Sequence, residues 1–160
     1  MSPVDLSVAK EDRYFEDYVE GRIYEFAERI SVSEADIIRF AKEFDPQYFH
    51  LDPEAAKNSI YKGLIASGGH TLALAFRLYI KNFLPGKASL GSPGIDEVRW
   101  FKPLRPGDVL RLRLTILSVK ASQSKTDRGT VVSLIEIINQ QEEVIMSHRA
   151  INIMLRRNSG

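Results

Sequence analysis

The chain has 160 residues, which suits one domain that buries about 70% of the surface its unfolded form exposes. Its 44% apolar and 27% charged residues are typical of a soluble globular protein. A net charge of +1, without a cluster of basic residues, argues against a nucleic-acid partner. Because there is no cysteine, the sequence excludes disulfides, thiolate zinc sites and a cysteine nucleophile.

Apolar stretches bear on where the protein works. Residues 1–18 hold no apolar stretch of the kind that secretory signals have. The most apolar window, Leu72 to Ile80, is interrupted by Arg77 and is shorter than the ~20 residues that span a bilayer. We therefore expect a soluble, cytoplasmic protein without a membrane partner.

The chain begins with many charges and then turns to strand-forming residues. Residues 1–20 lack periodicity, which favours an irregular N-terminal arm ahead of a single domain over residues 21–157. Residues 22–30 carry aromatic and β-branched side chains, so we expect a strand there.

A capped helix follows. Ser33 and Asp36 form a capping-box pattern, and apolar residues then recur at helical spacing. This helix should end by Asp45, because Pro46 disfavours the α conformation in the residue before it. Asp52, with a proline directly after it, predicts the start of a second, short helix.

A long helix and a run of strands complete the pattern. Residues 68–84 are apolar over most of a helical circumference, which is typical of a helix enclosed by its domain. Four later segments have the alternation or the β-branched content of strands: residues 94–101, 109–119, 130–138 and 143–155. Segregated helices and a meander of strands indicate an α+β fold, with an antiparallel sheet wrapped around the long helix.

Asp45 and His50 are the first candidates for chemistry. They lie five residues apart, and the break at Pro46 allows the chain to turn between them. A carboxylate at a helix C-terminus faces the negative end of the helix dipole, so we expect the pKa of Asp45 to be raised. Such a carboxyl beside a histidine is the usual composition of an acid–base pair. The same two residues could also be a turn-forming aspartate and a packed surface histidine.

The segment Ser67-Gly68-Gly69 precedes the long helix and is the second candidate. The first turn of a helix has unpaired N–H groups and a positive dipole, and glycine lets a ligand approach that backbone. A developing oxyanion would be stabilised there. Alternatively, the glycines only allow the helix to pack tightly against the sheet.

Three segments carry a resemblance to a known family: DPQYFHLD at residues 45–52, GLIASG at 63–68 and RWFKPLRPGD at 99–108. Together they resemble the MaoC-like hydratases, hot-dog-fold proteins that include (R)-specific enoyl-CoA hydratases. The resemblance extends from about residue 28 to residue 155. One departure concerns the loop, because the family's hydratases have Asn-Pro between the Asp and the His, whereas here Pro46 directly follows Asp45.

The resemblance implies a role for each matching residue. Asp45 and His50 match the acid–base dyad that binds the catalytic water, and the N–H of Gly68 matches the oxyanion donor. Three further residues are candidates for contacting the substrate: Gln47, Ser67 and Gly69. The implied fold is a single hot-dog domain that forms a homodimer or a higher homo-oligomer.

The implied activity is that of a hydro-lyase of fatty acid metabolism. It would reversibly hydrate a 2-enoyl thioester of coenzyme A or acyl carrier protein to a 3-hydroxyacyl thioester, with (R) specificity and with no cofactor beyond the substrate's coenzyme A. No metal is expected, since the three histidines share no metal-binding spacing. Two alternatives stay open: a hot-dog thioesterase, which the lack of Asp and Glu in residues 68–84 disfavours, and a non-catalytic acyl-thioester-binding subunit.

Overall fold

The computed structural model describes residues 8–157, which form one antiparallel sheet with helices packed on one face. The helices are α1 (Glu34–Phe44), α2 (Tyr48–Leu51), α3 (Pro53–Ala56) and α4 (Gly68–Asn82). The strands are β1 (Ile23–Glu25), β2 (Ile30–Ser31), β3 (Gly94–Trp100), β4 (Val109–Ala121), β5 (Arg128–Ile138) and β6 (Val144–Leu155). None of the helices within the described residues is long and apolar enough to cross a membrane.

The sheet has the strand order β1-β4-β5-β6-β3, and β2 also pairs with β4. Every pairing is antiparallel. The predicted alternation in β4 is confirmed, since Leu110, Leu112, Leu114 and Ile116 are all buried. The sheet therefore presents one apolar face, which α4 covers.

The long helix packs through one face. Thr71, Ala75 and Leu78 of α4 are buried, and the helix lies against β4 and β5. Ala73 and Arg77 are exposed, so α4 is covered on its sheet side and open on the other. The predicted α+β arrangement is confirmed, although the helix is less enclosed than its apolar composition indicated.

The predicted strand over residues 22–30 is wrong in its extent, because two short strands, β1 and β2, take its place. The guanidinium of Arg29 donates to the carbonyl oxygens of Phe26, Ala27 and Glu28. These hydrogen bonds close a loop between the strands, and the extended conformation stops where the loop begins.

The described part of the N-terminal arm packs onto the domain. It contains two 3₁₀ turns, Lys10–Asp12 and Phe15–Asp17, and the side chains of Phe15 and Tyr18 are buried in the core. Phe15 lies so close to Gly129 of β5 that no side chain would fit there. The rest of the predicted arm, residues 1–7, lies outside the described residues.

Candidate active site

Asp45 is placed by the end of α1. The predicted capping box is present, with Ser33 Oγ accepting from the N–H of Asp36 and the Asp36 carboxylate accepting from the N–H of Ser33. The helix ends at Phe44, as the following proline predicts, and Asp45 donates its N–H to the carbonyl of Ala41 at 2.9 Å. The carboxylate of Asp45 therefore projects from a rigid helix end.

His50 returns to Asp45 because the chain forms the short helix α2, which the sequence did not predict. Its Nε2 lies 3.3 Å from Oδ2 of Asp45, and the ring is 4% exposed. Its Nδ1 lies 2.7 Å from the carbonyl oxygen of Ile65. Since a carbonyl only accepts hydrogen bonds, Nδ1 carries a proton, and Nε2 is the ring nitrogen that faces Asp45.

Short hydrogen bonds hold the Asp45 carboxylate on both oxygens. Gln47 Nε2 donates to Oδ1 at 2.7 Å, and Ser67 Oγ donates to Oδ2 at 2.7 Å. Burial raises the pKa of Asp45, but these two donors, together with His50 when its ring is protonated, hold it below its usual value. The predicted raised pKa is wrong, because direct hydrogen bonds to a carboxylate outweigh the few tenths of a kcal/mol from a helix end.

The first turn of α4 lies next to this carboxylate. Ser67 is the N-cap residue, and its Oγ accepts a hydrogen bond from the N–H of Gly69 at 3.2 Å. The N–H of Gly68 has no acceptor within residues 8–157 and lies at the positive end of the helix. This N–H is the group that the oxyanion role requires.

Trp100 explains why residue 68 is glycine. The indole Nε1 donates to the carbonyl of Gly68 at 3.0 Å, and a Cβ on Gly68 would lie 2.7 Å from the ring. Glycine at position 68 is therefore explained by close packing, as the alternative interpretation expected. The side chain that packs against it is Trp100 of β3. Trp100 is not among the residues predicted for the site, because only the fold brings it to α4.

A cavity of about 560 Å³ joins these groups. Five predicted residues border it: Asp45, Gln47, His50, Gly68 and Gly69. Ser67 was predicted to contact the substrate. Its side chain is instead buried behind the carboxylate, where it supports Asp45 and does not border the cavity. The remaining wall is mostly apolar: Phe49, Tyr61, Ile65, Ala66, Thr71, Trp100, Phe101, Lys102, Pro103 and Leu104. The cavity thus brings a carboxylate and an imidazole next to the start of a helix.

Other chemistry has less support in the geometry. Within the part of the chain that the structure describes, no group of three or more His, Cys, Asp or Glu side chains is placed to hold a metal ion. Among the described residues that border the cavity, Lys102 is the one Lys or Arg, and it forms an ion pair with Glu143.

The family is decided by comparison with known proteins. The family model of the MaoC like domain matches residues 17–137. This chain belongs to that family. Among curated relatives, the uncharacterized protein YdeM of Bacillus subtilis is 31% identical over 142 residues, which cover 89% of this chain and 98% of YdeM.

Solved structures agree with the assignment. The MaoC-like dehydratase of Rhodospirillum rubrum is 40% identical, with a TM-score of 0.83 and coverage of 91% of this chain and 98% of that one. The (R)-hydratase PhaJ1 of Pseudomonas aeruginosa is 25% identical, with a TM-score of 0.68 and coverage of 91% and 86%. The predicted hot-dog fold of a MaoC-like protein is therefore confirmed.

Proposed function

We propose that this MaoC-like protein reversibly hydrates a 2-enoyl thioester to a 3-hydroxyacyl thioester. One observation carries the proposal: Asp45 and His50, 3.3 Å apart, border the same cavity as the helix-start residue Gly68. Membership of a family that includes hydratases and dehydratases supports it. Likeness to a protein named as an (R)-hydratase supports the (R) product.

The dyad is suited to holding a water molecule. In the neutral ring, His50 Nε2 and Asp45 Oδ2 are both hydrogen-bond acceptors, so neither can donate to the other. A water that donates one hydrogen to each would satisfy both and would direct its oxygen lone pair into the cavity. This is the arrangement that attack on the β-carbon of an enoyl thioester requires.

The proposed proton path runs through His50. The water oxygen bonds to the β-carbon while its proton moves to Nε2 of His50. The electron pair of the double bond moves onto the thioester oxygen as an enolate, which the N–H of Gly68 stabilises. Nε2 then returns the proton to the α-carbon, and the site is restored. Asp45 stays ionised throughout, because Gln47 and Ser67 favour its charged form.

The proposal extends to partners and place of action. The thioester would be that of coenzyme A or of an acyl carrier protein, with no other cofactor, in the cytoplasm. A homodimer is also proposed, since β3 is an edge strand that ends at Trp100, and Trp100 and the adjacent Phe101 are 52% and 58% exposed.

Hydration of 2-enoyl-CoA thioesters of several chain lengths tests the proposal, followed as loss of enoyl-thioester absorbance. Asp45→Asn and His50→Gln should each lower kcat at least about a hundredfold, the usual contribution of a general acid–base group. Asp52→Asn is the matched control: Asp52 caps α3 and asparagine also caps helices, so its turnover should stay unchanged. Folded protein that hydrates no chain length would contradict the proposal.

Release of free thiol separates hydration from thioester hydrolysis. Thioesterases of this fold usually carry the carboxylate that directs water at the carbonyl carbon on or near the central helix. The central helix here, α4, has no Asp or Glu. We expect no thiol release. Thiol release that Asp45→Asn abolishes would assign the site to a thioesterase instead.

A further inference from the structure

A separate cavity of about 370 Å³, which we call the α1–α4 groove, is bordered by α1, α4 and residues 30–32. It shares no bordering residue with the catalytic cavity. Phe44 and His70 border the groove, whereas the adjacent Asp45 and Gly69 border the catalytic cavity. The end of α1 and the first turn of α4 therefore form a wall with a cavity on each side. None of the residues that border the groove belongs to β3, the edge strand of the proposed homodimer.

Aromatic rings form one part of the groove. The ring of Phe40 lies 5.0 Å from that of Phe44 and stacks on the ring of His70, with centroids 4.6 Å apart and an interplanar angle of 8°. Phe44 is 68% exposed. Ring-to-ring contact adds to the gain from burying apolar area, so an exposed aromatic ring beside a cavity favours a ligand with an aromatic body.

His70 adds a polar position to the groove. Its ring is 8% exposed, and Nδ1 is buried without a hydrogen-bond partner within residues 8–157. Native interiors rarely leave such an atom unpaired. Burial lowers the pKa of His70, so the ring is neutral near pH 7 and has one N–H donor and one acceptor nitrogen. A polar group of a ligand can therefore hydrogen-bond to this ring.

Arg77 adds a positive charge. It borders the groove, is exposed, and forms no ion pair among the described residues. Hydrogen bonds from Asn82 and Lys81 occupy the carboxylate of Glu28 and lower its pKa, and Arg77 adds only a longer-range effect. A carboxylate that bound to Arg77 would gain a charged partner without displacing one.

The other charged residues of the groove decide where an anion binds. Arg39 is paired with Asp36, so its charge is compensated. Glu43 lies next to Phe44 in the chain and forms no ion pair within residues 8–157. Its negative charge disfavours an anion beside the aromatic rings. The anionic group of a ligand is thereby directed to Arg77.

Helix geometry separates the aromatic and the charged positions. The end of α1 meets the start of α4 where Ser67 bonds Asp45, and the stacking of Phe40 on His70 shows that the helices continue side by side from there. Arg77 follows His70 by seven residues, roughly 10 Å along α4. Three methylene groups, with carbon–carbon bonds of about 1.5 Å, would cover part of this distance, and the long side chain of Arg77 would cover the rest.

We propose that the α1–α4 groove binds a small aromatic carboxylate, with its ring on Phe44, its carboxylate on Arg77 and His70 as a second polar partner. This site lies outside the catalytic cavity. Binding there needs no turnover, so it is measured independently of the proposed hydration.

Calorimetry with 4-phenylbutanoate tests the site, with 4-phenylbutan-1-ol as the neutral analogue. One equivalent of the carboxylate should bind saturably and about tenfold more tightly than the alcohol, because a hydrogen bond to a charged group contributes more than a neutral one. Arg77→Gln should abolish that preference. Phe44→Ala should weaken the binding of both compounds. His70→Phe, which keeps a ring against Phe40 and removes the nitrogens, should weaken the binding of the carboxylate.

Two control variants should leave the affinity unchanged. Lys42→Gln removes an exposed cation of α1 that does not border the groove. Phe101→Ala removes an exposed ring that borders the catalytic cavity instead.

Three results would overturn the proposal. The first is the absence of saturable binding, or equal binding of the alcohol. The second is unchanged affinity in any of the variants of Arg77, Phe44 or His70. The third is loss of binding in Phe101→Ala, which would place the carboxylate in the catalytic cavity.

Discussion

The hydroxyl of Ser67 donates a hydrogen bond to Oδ2 of Asp45 over 2.7 Å and accepts one from the N–H of Gly69. A single side chain therefore caps α4 and orients the carboxylate of the candidate dyad. The cap fixes where Gly68 presents its N–H, and the carboxylate fixes where water binds. Ser67 therefore fixes the position of the Asp45 carboxylate relative to Gly68, the proposed oxyanion donor.

Ser67→Ala should lower both stability and activity. Loss of the N-cap should reduce the free energy of unfolding by about 1 kcal/mol. Loss of the hydrogen bond to Asp45 should reduce kcat for enoyl-CoA hydration by about tenfold, because the carboxylate is then held by Gln47 alone. Urea unfolding and steady-state kinetics measure the two effects.

Ser33→Ala provides the matched control for this variant. Ser33 caps α1 in the same way, yet its side chain bonds Asp36 and does not reach the cavity. It should lose a similar free energy of unfolding with unchanged kcat. Equal kinetic losses in the two variants would show that Ser67 acts only through stability.

The lowered pKa of Asp45 predicts acid-sensitive stability. A carboxyl group whose pKa is lower in the folded state than in the unfolded state stabilises the protein at pH values above the unfolded pKa, here 3.8. That stabilisation is lost as the pH falls through the pKa of the folded state. Asp45→Asn cannot ionise, so it should be less stable than the wild type by about 1–2 kcal/mol at neutral pH. Unfolding measured down to about pH 2 should show this difference shrinking. A difference that is constant with pH would contradict the lowered pKa.

His148 predicts a second pH effect, in a higher range. The unfolded residue binds a proton below its ordinary pKa of 6.5, whereas the buried ring does not until about 4. The unfolded state therefore holds more protons between these pH values. As the pH is lowered through this range, the free energy of unfolding should fall by up to about 1.4 kcal/mol for each pH unit. His148→Phe removes this group, so its free energy of unfolding should decline less steeply from pH 6.5 to 4. Parallel slopes for the two proteins would contradict the prediction.

The two glycines at the start of α4 should respond oppositely to alanine. Gly68→Ala places a methyl group 2.7 Å from the ring of Trp100, so we expect a loss of about 1–3 kcal/mol and impaired hydration. At Gly69 the nearest atom to an added methyl is Ser67 Oγ, at 3.5 Å, an ordinary contact. Gly69→Ala should therefore be neutral or stabilising by up to about 1 kcal/mol. Thermal unfolding of both variants measures the contrast, and equal losses would show that Trp100 is not the constraint.

Features that depend on neighbours in the chain were predictable. Ser33 and Pro46 set the two ends of α1, since capping and the steric effect of proline act within a few residues. Alternation in β4 indicated its buried face for the same reason. The spacing of Asp45 and His50, together with the family resemblance, indicated the pair that the fold brings within 3.3 Å.

Features that depend on distant residues were decided by the tertiary structure. Ile65 fixes the proton position on His50 from 15 residues away, and Trp100 reaches Gly68 from 32 residues away. Ser67 lowers the pKa of Asp45 across 22 residues, and it does so against the expectation from the helix dipole alone. Local sequence rules describe how a residue biases its own backbone. Hydrogen bonds between separate elements arise only when packing on the sheet brings those elements together, and they determine the chemistry of this site.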